Sequence, residues 1–398
     1  MGGVCKVYPL RGEKPALAEV VGFRGERTLL MPLGELRGVA PGSKVVALMK
    51  EARYPVGEGL LGRVIDGLGR PIDGKGITAA AHSYPLYTPV SNPLEREEIR
   101  EPLDMGIRAM GGLLTCGKGQ RMAIMAGAGV GKSTLLTMIA RYTRADVKVI
   151  ALIGERGREV QEFVERGLPA GDRERMVVVA ATSADPPLVR VRGAFIATTI
   201  AEYFRDHGQD VLLLMDSLSR LAMAQREVGL AAGEPPSTKG YTPSVFALLP
   251  RLLERAGTWK GKGSITGLYT VLMEGDDPHE PLSDTVRSLV DGHIHLSRRL
   301  AEQGHFPAIE VLSSVSRART RVTSAEHQQL VAEMVRYLAA YRDAEDLIQI
   351  GAYTTGKNPE VDRAIQLMPK IRRYLCQGES EDVSLEASIN GLAELLAA

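Results

Sequence analysis

An α/β fold with a parallel central sheet is what this sequence predicts, and three observations predict it. Apolar runs alternate with helical stretches from about residue 103 to 320. One run is joined to the next helix by Ala126-Gly-Ala-Gly-Val-Gly-Lys-Ser133. A β-rich segment precedes this alternation and a helical one follows it. The apolar runs are Met122-Met125, Val147-Ile153, Met176-Ala181, Val211-Met215, Ser264-Met273 and His293-Leu296. Several are too uniformly apolar to have a wet face, as expected of parallel strands covered on both sides. A sheet of that kind gathers ligands at the carboxyl ends of its strands.

Residues 1–78 read as an N-terminal β-barrel or sandwich. Short runs such as Ala18-Glu-Val-Val21, Thr28-Leu-Leu-Met31 and Lys44-Val-Val-Ala-Leu48 are separated by closely spaced Gly and Pro turns. The stretch from His82 to Pro102, rich in Pro and charge, reads as a linker within the next unit, 79–320. Residues 321–398 look helical. Thr323-x-x-Glu326 has the form of a capping box before a long helix through Leu347. Gly356-Lys-Asn-Pro359 breaks the pattern, and Pro369 is expected to bend or break the helix Glu360-Leu375. Leu385, Ile389, Leu392 and Leu396 keep helical spacing to the end.

The 398 residues, 44% hydrophobic and 24% charged, fit a globular protein of two or three domains. A net charge of +1 gives no electrostatic argument for nucleic acid as the main partner. The three cysteines are widely spaced and form no metal-ligand pattern, which suits a reducing, cytoplasmic setting. No run approaches the ~18 apolar residues of a membrane span, so any membrane association is expected to be peripheral.

The glycine-rich turn after Met122-Met125, followed by Lys132, Ser133 and a helix, is the pattern of a phosphate-cradling P-loop. Backbone N–H groups from Ala128, Gly129, Val130, Gly131, Lys132, Ser133 and Thr134 are expected to converge on phosphate oxygens at the helix start. Lys132 would reach the β- and γ-phosphates and Ser133 would hold Mg²⁺, so ATP and Mg²⁺ are the expected ligands. The strand Val211-Leu-Leu-Leu-Met-Asp216 ends in a carboxylate suited to Mg²⁺, although Asp216 could instead cap the following helix. Glu155, just past Val147-Ile153, falls on the same sheet edge and could polarise the attacking water, with Arg156 orienting that carboxylate or contacting phosphate. The alternative is that both merely begin a charged helix with Arg158, Glu159, Glu162 and Glu165. Arg317, in Ser313-Ser-Val-Ser-Arg317, is either a surface arginine or an arginine finger acting on a neighbour's nucleotide.

Several strings together resemble the ATPases of type III protein export, flagellar and injectisome, which share a RecA-like fold with the rotary ATP synthase catalytic subunit. They are Gly119-Gln-Arg121, Gly154-Glu-Arg-Gly-Arg-Glu-Val160, Ile200-Ala-Glu-Tyr-Phe-Arg-Asp206, Gly233-Glu-Pro-Pro236 and Lys239-Gly-Tyr-Thr-Pro-Ser-Val-Phe246. Pro250 with Glu254-Arg-Ala-Gly257, Glu274-Gly-Asp-Asp277, Asp291-Gly-His293 and Ile350-Gly-Ala-Tyr353 continue the series. The resemblance implies a truncated N-terminal β-barrel, because the chain starts near the family's Gly-x-x-Cys motif, here Gly3-Val-Cys5. It also implies Glu155 as the catalytic base beside Arg156, Arg317 as a finger acting in trans, and Phe306 as an adenine-stacking aromatic, with core packing the other reading of Phe306. Ala318-Arg-Thr-Arg321 departs from the apolar pair usual after the finger.

The implied activity is ATP hydrolysis energising export by a homo-hexamer. Its implied partners are a peripheral regulator or stator protein, a coiled-coil stalk in the ring pore, chaperones with their export substrates, and export-gate membrane proteins. Residues Glu274-Asp277 are candidates to face that pore. Gly129-Val-Gly131 and Asp185-Pro-Pro-Leu-Val-Arg190 look flagellar rather than virulence-associated. Two other classes are weighed against this one. A non-catalytic ring subunit would lose the carboxylate that Glu155 supplies. A terminator-type ring helicase would need aromatics on basic ground in its N-terminal barrel, whereas Tyr8, Phe23 and Tyr54 are not so placed.

Overall fold

The computed structural model describes residues 2–10, 14–49, 51–78, 80–88, 92–168, 170–273, 275 and 280–397. Its centre is a nine-stranded sheet. The order runs Val315–Ser316, Gly292–Leu296, Arg121–Ala126, Ser264–Leu272, Val211–Asp216, Val147–Ile153, Met176–Ala181 and Arg63–Asp66, with Gly257–Thr258 paired onto Ser264–Leu272. Pairing is parallel throughout the middle and antiparallel only at Val315–Ser316 and Gly257–Thr258. Val147–Ile153, Met176–Ala181 and Val211–Asp216 are buried at every position, because helices cover both faces. One face packs on the helix Pro187–Asp206, whose Phe195, Ile196, Ile200 and Phe204 join the core. The other face packs on the P-loop helix Lys132–Tyr142 through Leu135, Leu136 and Ile139, and this core continues into the C-terminal helices through Leu367, Ile371 and Leu392.

The N-terminal segment forms a four-stranded antiparallel sheet in the order Arg27–Pro32, Ala16–Arg24, Val4–Tyr8, Lys44–Met49. It is tied to the central unit by a buried ion pair between Glu19 and Arg192, with the Tyr87 hydroxyl donating to Glu19 at 2.8 Å. Two segments assigned by sequence to the barrel and linker have other partners. Arg63–Asp66 joins the edge of the central sheet beside Met176–Ala181, and His82–Pro85 pairs with Arg53–Val56. Gly punctuation marks where strands end but carries no information about which sheet they enter.

The C-terminal helices are Ala325–Gln349, Pro359–Leu375 and Leu385–Ala397. The first is capped by Ser324, whose hydroxyl accepts from the His327 N–H at 3.2 Å. Thr323, the expected cap, instead donates its hydroxyl to the Arg319 carbonyl at 2.7 Å. Pro359–Leu375 is not broken at Pro369. Its buried stripe of Val361, Ala364, Leu367, Met368, Ile371 and Leu375 offsets the one backbone hydrogen bond that proline removes. Among the described residues no helix is long and apolar enough to cross a membrane.

Candidate active site

The P-loop strand ends at Ala126, and the chain turns through Gly127 to Gly131 into the helix Lys132–Tyr142. Gly129 and Gly131 have φ of 76° and 85°, the left-handed region that a Cβ disfavours. At Gly131 space is closed as well, since a Cβ there would lie 3.2 Å from the Phe306 ring. Val130 is buried beneath the turn, whereas Ala128, Gly129 and Ser133 are exposed along it and Thr134 is half-buried. The first N–H groups of the helix have no partners within it, so loop and helix together offer a set of donors to an anion.

Lys132 projects from the first helical position across the carboxyl edge of the sheet. Its Nζ lies 2.5 Å from Asp216 Oδ1 and 3.9 Å from Glu155 Oε1. The two carboxylates meet because Val147–Ile153 and Val211–Asp216 are adjacent and parallel, with Leu152 opposite Asp216. On the other side of Asp216, the Thr270 hydroxyl donates to Oδ1 at 2.6 Å. The helix-capping role open to Asp216 is filled by its neighbour, since the Ser217 hydroxyl accepts from the Arg220 N–H.

Glu155 is 7% exposed, and its Oε1 is buried without a hydrogen-bond partner. Burial, then the charge of Asp216, push its carboxyl up to about 7; Glu159 adds to the shift and Lys132 opposes it. A carboxyl so placed exchanges protons near neutral pH, as a water-activating base requires.

The other candidates are distributed differently. Arg156 occupies the N-cap position of the helix Gly157–Glu162 without a side-chain cap; its side chain is 78% exposed, 3.7 Å from Glu159, and stays outside the Lys132 cluster. Phe306 is 44% exposed, so it is not a core residue; its ring stands against Gly131 and its carbonyl accepts from the Gln377 N–H at 2.9 Å. Arg317 follows the edge strand Val315–Ser316, and its N–H donates to the Asp291 carbonyl at the amino ends of the parallel strands. It therefore stands apart from the Lys132 of its own chain. The stretch Glu274-Asp277 lies outside the described residues except for Gly275.

Two site residues escape the sequence reading. Thr270 gives no signal, being one hydroxyl in an apolar run. Arg220 does leave one: it stands four residues after Asp216, one helical turn into Leu218–Ala232. Its stem closes over Gly154, where a Cβ would come within 2.6 Å of Arg220 Cβ, and its Nε is buried without a hydrogen-bond partner.

Ser133 and Asp216 line one groove with Glu155. Hydroxyl and carboxylate oxygens are the hard donors that Mg²⁺ takes. Among the described residues no three His, Cys, Asp or Glu side chains form a ready-made metal cage. An ion held by one carboxylate and substrate phosphates needs none. The donor set fits.

Residues 106–316 match the family described as ATP synthase alpha/beta family, nucleotide-binding domain. Residues 3–49 match the beta-barrel domain of the same family, and residues 323–394 match the T3SS EscN ATPase C-terminal domain. The chain is 52% identical to the flagellum-specific ATP synthase of Pseudomonas aeruginosa, covering 100% of this chain and 89% of that protein. It is 51% identical to the SPI-2 type 3 secretion system ATPase of Salmonella typhimurium, covering 100% and 90%. The assembled ATPase EscN from the type III secretion system of enteropathogenic E. coli superposes with a TM-score of 0.93 at 45% identity, covering 100% of this chain and 98% of that one. EscN in complex with its central stalk EscO gives a TM-score of 0.91.

Proposed function

The chain belongs to the ATP synthase alpha/beta family, and on that premise we propose that it hydrolyses ATP to energise flagellar type III protein export. The observation that carries the reading is the meeting of Lys132, Asp216 and the orphaned Glu155 Oε1 at one sheet edge, directly after a P-loop. The backbone donors of the loop and Lys132 hold the β- and γ-phosphates. Ser133 and Asp216 would hold Mg²⁺, which when bound would neutralise charge on the phosphate oxygens. The proposed base, Glu155, takes a proton from water as its oxygen bonds to the γ-phosphorus and the bond to the β-bridging oxygen breaks. Phe306, half-exposed beside Gly131, offers its ring to adenine.

Arg317 stands too far from its own chain's Lys132 to act there, which favours a finger supplied by a neighbour in a homo-hexamer. The likeness to assembled EscN, and to EscN with its stalk EscO, supports a ring that surrounds a stalk protein. We extend the proposal to a peripheral regulator or stator, chaperones with their substrates, and export-gate membrane proteins, met at the cytoplasmic face of the inner membrane. Service in a virulence injectisome is the second reading, favoured by the SPI-2 relative at 51% identity and by EscN. A non-catalytic ring subunit is disfavoured because such a subunit would lack the carboxylate that Glu155 supplies.

The test is ATPase rate per chain against protein concentration with Mg-ATP, with mass followed by sedimentation. The reading expects activity to rise as rings form. A rate per chain that stays constant from monomer to ring would refute the trans-acting site.

A further inference from the structure

We propose that the arginine strip Arg317, Arg319 and Arg321 is a docking surface for a second copy of this chain, with Arg319 and Arg321 received by the acidic wall of that copy's nucleotide groove. The inference rests on the ring reading above and deepens it, by assigning a binding role to two cations that the finger does not account for.

The strip has charge without an outlet. No carboxylate lies within ion-pair distance of Arg317 or Arg319 among the described residues, and Arg321 meets only Glu98, at 4.0 Å, with its side chain 53% exposed. Arg319 is half-buried, which lowers its pKa from the ordinary value; it gives one long hydrogen bond, 3.4 Å, to the Leu113 carbonyl. Burial first, and then the charges of Arg287 and Arg317, hold the neighbouring His293 below its usual range. The strip also borders the last strand of the central sheet, Val315–Ser316. That strand has no neighbour on its outer side among the described residues and leaves Val315 45% exposed. A bare sheet edge with an apolar residue amid cations is a surface that another chain can cover.

The complementary surface is the groove of about 390 Å³ beside the P-loop helix. It is lined by Glu155, Glu159, Glu162, Glu379 and Asp216 against one cation, Arg141. Lys132 answers Asp216, but the cations that meet Glu159 and Glu162 are exposed ones on the helix surface, Arg156 at 3.7 Å and Arg158 at 2.9 Å. Pairs of that kind contribute little and can be exchanged for interface contacts.

The two surfaces cannot meet within one chain. The strip is anchored at Asp291, whose own N–H donates to the carbonyl of Arg121, the first residue of the P-loop strand. The groove begins after Ala126, five residues on, roughly 17 Å at the rise of a strand. A contact between unlike patches of identical chains is head-to-tail, and it closes into a ring when the rotation allows. The same contact would bring Arg317 to the neighbour's phosphates.

Reversing the charges tests this. Arg321→Glu should raise the protein concentration for half-maximal ring formation, and for half-maximal ATPase with Mg-ATP, by about tenfold or more. Its rate per chain when dilute should equal that of the wild type. Glu162→Arg alone should produce a similar shift, and the double variant should return to within about threefold of the wild type. Matching thermal melts would exclude misfolding as the cause. An Arg321→Glu midpoint within twofold of the wild type, or a double variant no better than the singles, overturns the docking surface while the ring reading stands. A wild-type chain that gains neither mass nor activity on concentration overturns both.

Discussion

Replacing Glu155 with Gln removes the proposed base while keeping side-chain size, and two magnitudes follow from its surroundings. A carboxyl titrating near 7 is about one-tenth ionised at pH 6 and about nine-tenths at pH 8. For the wild type, kcat/KM should therefore climb about tenfold across that interval. Glu155→Gln should lose about a hundredfold or more in kcat and show no such limb. Its effect on stability runs the other way. The unfolded carboxyl ionises near 4.5 and the folded one only near 7, so ionisation costs stability increasingly as pH rises through that window, and fully above it. The shift corresponds to about 3 kcal/mol as an upper bound, so the nucleotide-free variant should be the more stable protein at pH 8 and no more stable at pH 4.5. Steady-state ATPase from pH 6 to 8 and urea unfolding without nucleotide measure the two effects. Turnover within threefold of the wild type would refute the assignment of the base. Equal urea stability at pH 8 would refute the account of its surroundings.

Lys132→Ala should weaken nucleotide binding by about a hundredfold in a fluorescence titration, since it removes the phosphate cation and leaves Asp216 without its ion pair. Phe306→Ala should weaken ATP binding by about tenfold yet leave inorganic tripolyphosphate binding unchanged, because the role proposed for its ring, which stands beside Gly131, is to stack on adenine. Gly131→Ala combines a φ of 85° with a Cβ 3.2 Å from the Phe306 ring, and should cost about 1–2 kcal/mol in denaturant unfolding as well as ATP affinity.

The central sheet was legible because strands covered on both faces become uniformly apolar, as in Val147–Ile153 and Met176–Ala181. The P-loop was legible because close approach to phosphate leaves few choices of residue at Gly129, Gly131 and Lys132. Partner choice was harder to read. Nothing in Arg63-Val-Ile-Asp66 distinguishes a barrel strand from an edge strand of the central sheet, since pairing is decided by chain segments distant in sequence. The cap at Ser324 in place of Thr323 reflects two equivalent hydroxyls side by side, separated only by the local turn. Thr270 was hidden because a buried hydroxyl reveals its purpose only through its neighbour, Asp216. Arg220 had a visible spacing, but the closeness of its stem to Gly154 depends on a backbone φ of 75° that no side-chain pattern records.

The most direct measurement of a site shared between chains is to mix two disabled variants, Glu155→Gln, which keeps the finger, and Arg317→Ala, which keeps the base. Random assembly of equal amounts should pair an intact base with an intact neighbouring finger at about one interface in four, restoring roughly a quarter of wild-type ATPase. A mixture no more active than its separate components would contradict hydrolysis at a site completed by a second copy.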